Sequence, residues 1–102
     1  MNWALHKKNL KKNNSIEMGY PGSGMSPQIN NGDTIVITTM NVGLFKEGDI
    51  VFCKISKNHY VQPIIKVSIN GNRLRYHIGD NKNNIIGVIG ISSIFGKVTK
   101  KD

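Results

Sequence analysis

Two serines, one lysine and a glycine-rich loop hold most of the chemistry open to this chain. Ser23 and Ser26 sit in PGSGMSPQINNGD, residues 21–33, where two Pro and three Gly fall within thirteen residues. That density fixes a particular backbone path, and Gly22, Gly24 and Gly32 can take positive φ in a crowded loop. Lys66 follows two isoleucines; a lysine so placed either snorkels to solvent or points into a cleft. His6, His59 and His77 are the only histidines, with no Cys or acid at zinc-ligand spacing, so no metal site is expected. No phosphate loop or dinucleotide motif is present, and no cofactor is expected. Cys53 lies in a strand pattern and reads as a small buried residue. A lone cysteine makes no internal disulfide and fits a reducing, cytoplasmic setting. Near the start, Lys7, Lys8, Lys11 and Lys12 form a basic run that could touch nucleic acid or an acidic partner. The same run also suits the solvated face of a short helix anchored by Trp3 and Leu10.

The elements that must position these groups are strands. The 102 residues are one domain's worth of chain. Ile occurs fifteen times against four Leu and one Ala, which argues against a helical bundle because β-branching favours strands. The pattern predicts strands over residues 15–20, 34–39, 49–56, 59–69, 72–78 and 94–99. Pro63 must then sit at an edge or a bulge. Lys57-Asn58 and Asn70-Gly71 supply tight hairpin turns. In the strand over 72–78, Leu74, Tyr76 and Ile78 face in while Arg73, Arg75 and His77 face out. Residues 85–93 are apolar and Gly-rich. The aromatic residues fall mostly at apolar strand positions and read as core packing, not a base-stacking platform. The expected fold is all-β, with residues 1–14 a basic arm or short helix and 15–102 a single small β-domain. No stretch reaches the ~20 apolar residues of a membrane span, and no secretory signal is expected.

Several of these pieces form an ordered signature. Gly22, Met25, Pro27, Ile29, Gly32 and Asp33 fall in the pattern Gly-x-Ser-Met-x-Pro-x-Ile-x-x-Gly-Asp. Gly48-Asp49-Ile50-Val51 follows, then Pro63-Ile64-Ile65-Lys66, Gly79-Asp80-Asn81 and Gly96-Lys97-Val98. From about residue 15 to 99 the chain resembles the LexA / signal-peptidase superfamily, the S24 and S26 serine peptidases. The resemblance implies a small LexA C-terminal-like β-domain. It implies a serine immediately before Met25 as nucleophile, and a neutral lysine at position 66 as its general base. This chain has Gly24 at the nucleophile position, and glycine offers Lys66 nothing to activate. Ser23 and Ser26 flank the gap, with Ser23 the better substitute.

The resemblance therefore implies an inactive peptidase-like domain with a retained peptide cleft at Met25, Ser26, Pro27, Ile29 and Lys66. Peptidases of this type take substrate as an extended strand, so β-augmentation would be the inherited binding mode. The expected function is non-enzymatic binding of a protein partner. Lys, Asn and Ile, with AT-rich codons, total 40 residues, which suits an AT-rich phage or bacterial genome. A phage-encoded protein would act in the host cytoplasm on a host factor. Two rivals stand beside this reading: a residual Ser/Lys peptidase, self-cleaving or signal-peptidase-like, and a basic nucleic-acid-binding accessory protein. The net charge of +8 motivates the second. Superfamily members often pair through C-terminal strands, so residues 85–95 could form a homodimer contact or simply cover the core.

Overall fold

The computed structural model describes residues 3–22, 25, 28–39, 45–80 and 82–101, without the side chains of residues 3, 4 and 6. The chain is mainly β. One helix, α1 (Trp3–Asn13), precedes seven strands: β1 (Ser15–Gly19), β2 (Thr34–Thr38), β3 (Ile50–Ile55), β4 (Asn58–Asn70), β5 (Arg73–Gly79), β6 (Ile85–Ile89) and β7 (Ile94–Lys100). A single 3-10 turn, Ile91–Ser93, links the last two strands. All neighbouring strands are antiparallel, in the order β1-β2-β7-β3-β4-β5-β6.

The N-terminal basic segment is a docked helix. Leu10 is fully buried against the strands and ties α1 to the core. Asn14 ends the helix with φ 64, and its amide donates to the Leu10 carbonyl at 2.7 Å. Asn tolerates this left-handed stop better than most residues. The Asn14 carbonyl then accepts from the Thr39 amide at 3.0 Å, joining the helix end to the end of β2.

β4 organises the sheet. Its first half pairs with β3, from Ile55↔Asn58 to Ile50↔Pro63, and its second half pairs with β5, from Ile64↔Ile78 to Asn70↔Arg73. Pro63 sits where the second ladder begins, next to a bulge between Ile64 and Lys66. A residue with no amide proton fits that junction. Two cores result. Phe52 and Val61 join Leu10, Met25, Ile29, Ile35 and Ile37 in one; Val51, Cys53 and Ile64 join Tyr76, Ile78 and Ile89 in the other. β3 feeds both, so its central residues Val51, Phe52 and Cys53 are buried in succession.

Two hairpin turns lie one residue from their expected places. Ile55 pairs with Asn58, so the first turn is Ser56-Lys57, with Ser56 at φ 56. Asn70 pairs with Arg73, so the second is Gly71-Asn72. Gly71 has φ 65 and Asn72 is not positive, the type II′ pattern that puts Gly first.

The Gly32-Asp33 and Gly48-Asp49 pairs build one device twice. The Asp33 amide donates to Asn30 and the Asp49 amide to Lys46, closing turns whose third residues are Gly32 (φ 88) and Gly48 (φ 94). This is the type II turn, which demands positive φ there. Gly32 then donates to the Tyr20 carbonyl while Tyr20 donates to Asp33, and Gly48 donates to Ile64 while Ile64 donates to Asp49. Each pair is a β-bulge opposite a single residue.

Candidate functional site

Ser26 and Pro27 of the expected cleft, the nucleophile position Gly24 and its possible substitute Ser23 lie outside the described residues. The other members are not brought together on a surface. Met25 and Ile29 have 0% and 1% exposure and belong to the core around Phe52. The Ile29 amide donates to the Met25 carbonyl at 2.9 Å. Both are packing residues in this state and offer a ligand no surface.

Lys66 stands elsewhere. The bulge at Ile65 turns it away from the core that Ile64 enters, and it pairs opposite His77 on the outer face. It is exposed, without the buried surroundings of a general-base lysine. Beside it, Ser68 Oγ lies 2.9 Å from His77 Nε2. A serine so bonded to an imidazole has the first contact of a nucleophile and base. The rest of the arrangement is missing among the described residues: His77 Nδ1 is buried with no hydrogen-bond partner, so no carboxylate orients the ring.

Asp33 and Asp49 serve turns. Asp33 Oδ2 accepts from the Asn30 amide at 2.8 Å and lies 3.4 Å from Lys100 Nζ. The Asn30 amide chiefly, helped by Lys100, holds the Asp33 carboxyl below its ordinary range. Asp49 Oδ2 accepts from the Lys46 amide at 3.0 Å, and its Oδ1 lies 3.4 Å from Lys97 Nζ. Asp80, in the third Gly-Asp pair, builds a different loop. Its Oδ1 accepts from the Lys82 and Asn84 amides at 2.8 and 2.9 Å, and these bonds hold it below its ordinary range, Asn84 first.

Among the basic residues of α1, Lys7 Nζ stands 4.3 Å from the centre of the Phe95 ring, a cation–π contact. Lys8, Lys11 and Lys12 are exposed. Lys7, Leu10 and Lys11 also border a small hollow of about 200 Å³ shared with Thr39, Ile94 and Phe95. Nearby, His59 packs against Phe52 and Phe95 with centroids 5.8 and 5.9 Å away. Burial, then Lys54 and Lys7, push the His59 imidazole below its ordinary value. Cys53 is fully buried, and burial pushes its thiol up to about 12. No cluster of three or more His, Cys, Asp or Glu able to hold a metal occurs among the described residues. None of their helices is long and apolar enough to cross a membrane.

A further surface feature lies away from the residues that the sequence marks as a site. A groove of about 660 Å³ runs between residues 72–76, at the start of β5, and residues 90–93, which include the 3-10 turn. Exposed aliphatic side chains occur along this part of the chain: Ile69, Leu74, Ile85, Ile86, Val88 and Ile91, of which Leu74 and Ile91 line the groove. The signal was legible only in part, as the alternation that put Arg73 and Arg75 on one side of a strand and Leu74 on the other. No family model matches the chain, and no curated protein matches it.

Proposed function

We propose that this chain is a non-catalytic S24/S26 peptidase-like domain, phage-encoded, that works by binding a protein partner such as a host factor. Supporting the peptidase-like part are the ordered motifs, two of which, Gly32-Asp33 and Gly48-Asp49, form matching turns at the entries to β2 and β3. The observation that carries the non-catalytic part is the state of the two dyad positions. Position 24 is glycine, and Lys66 faces solvent opposite His77. A Ser/Lys peptidase needs the oxygen of one and the buried amine of the other.

Binding is favoured by the aliphatic residues exposed on the end of β4, on β5 and β6, and on the 3-10 turn. Six of them fall between residues 69 and 91, where a free-standing domain gains nothing from exposing them. The surface for a partner accordingly shifts from the signature loop to the β5–β6 end. Affinity capture from host lysate, run with and without nuclease treatment, tests the reading. A stoichiometric protein retained at high salt is expected. Retention of nucleic acid alone, lost steeply as salt rises, would overturn it in favour of a nucleic-acid binder.

A further inference from the structure

We infer that the free edge of β5 is a docking slot for an extended peptide segment of a partner protein in which acidic and aliphatic residues alternate. This rests on the protein-binding reading above and names the place and chemistry of the contact.

The slot arises because β6 stops short. Tyr76 pairs with Ile89, but at Gly90 the chain leaves the ladder for the 3-10 turn Ile91–Ser93. The two-residue hairpin makes Asn70 and Arg73 its closing pair. In an antiparallel ladder the hydrogen-bonding direction alternates. Arg73 and Arg75 therefore bond toward β4, while the amide and carbonyl of Leu74 point toward the edge that β6 has left. The 3-10 turn stands back from that edge, and the groove of about 660 Å³ separates the two. An added strand would find backbone partners there, the mode of β-augmentation.

Side chains on the two faces of this edge differ in kind. On the outer face stand Arg73 and Arg75, the chain's only two arginines among 14 Lys and Arg. Neither has an ion-pair partner among the described residues. The Arg75 guanidinium reaches toward the turn, with Nη1 3.5 Å from where a Cβ on Gly90 would be. Leu74, on the other face of β5, and Ile91, on the turn, are 43% and 45% exposed and both line the groove. Successive residues of an inserted strand point to opposite faces. One set would meet the guanidiniums, whose planar forks match carboxylates. The alternate set would cover Leu74 and Ile91. Among the described residues no acidic side chain lines the groove or pairs with either arginine.

Titration of a fluorescent peptide with alternating Glu and Val, followed by anisotropy, tests the slot. Saturable binding is expected to the full chain. Arg73→Gln with Arg75→Gln, one exposed and one half-buried, should weaken it at least about tenfold, since each loses a charge-assisted contact to a carboxylate. Ile91→Asp should weaken it independently. N-methylation of the peptide's alternate amides should abolish binding. Equal affinity for a Glu-Glu-Val-Val block peptide, for the N-methylated peptide or for the double-arginine variant would overturn the proposal. So would tighter binding of a single-stranded oligonucleotide that displaces the peptide. Capture of the same partner by wild type and by the double-arginine variant refutes the slot and leaves protein binding standing. Capture of no protein by wild type refutes the functional reading, while the peptide titration still decides the slot.

Discussion

Ile64 and Lys66, two residues apart in β4, lie on opposite faces of the sheet. In a regular strand they would share a face. The bulge at Ile65 breaks the alternation: Ile64 pairs with Ile78 and enters the core, while Lys66 pairs with His77 outside it. One inserted residue thus moves the lysine from the interior to solvent.

Substitution should read this difference directly. Ile64→Ala removes a fully buried side chain and should cost about 2–5 kcal/mol. Lys66→Ala, on an exposed position, should change stability by no more than about 0.5 kcal/mol. Urea unfolding monitored by circular dichroism measures both. A large cost at Lys66 would place its side chain in a packed or paired setting.

The matched turns differ in burial, and their variants should differ with it. The Asp49 side chain is 9% exposed and that of Asp33 25%. Asp49→Ala loses the Lys46 amide bond and leaves Lys97 unpaired, a cost of about 1–3 kcal/mol. Asp49→Asn keeps an acceptor for the amide and should cost less. Asp33→Ala should fall below Asp49→Ala.

Asp33 also gives a pH signature. Its carboxyl is held below the ordinary value, so the folded state releases that proton more readily than the unfolded chain. The stabilisation is complete above the unfolded pKa of about 3.9 and is lost as pH falls through the folded value. Asp33→Asn should flatten the acid limb of a thermal-stability profile in that window. An unchanged limb would assign the acid sensitivity to other groups, with Asp80 the next to test.

Cys53 should be silent in the native protein. The thiol is fully buried and pushed up to about 12, so almost no thiolate exists near neutral pH. A disulfide reagent should label it fully in denaturant and not at all in native buffer. Rapid native labelling would mean that the core around Val51 and Ile64 opens readily.

The sequence carried the strands well because their signals are local. TIVIT and IVFCKI are β-branched runs, and both are strands. The outward set Arg73, Arg75 and His77 and the inward pair Tyr76 and Ile78 follow the simple alternation. Leu74, at 43% exposure, departs from its inward expectation because β6 ends before reaching it. What escaped the sequence depends on single-residue offsets and on long-range pairing. The turn at Ser56-Lys57 and the bulge at Ile65 each displace a pattern by one residue. The likeness of the two Gly-Asp turns was hidden because their bulge partners, Tyr20 and Ile64, come from unrelated strands. Met25 and Ile29 fit a cleft motif in the sequence, and their place in the core around Phe52 follows only from long-range packing.

The central claim, that this domain does no peptidase chemistry, is tested most directly by intact-mass spectrometry of the wild-type chain after prolonged incubation at alkaline pH, where a Ser/Lys dyad would be most active. The account predicts the full, unchanged mass. A loss of mass that Ser23→Ala or Ser26→Ala abolishes would contradict it.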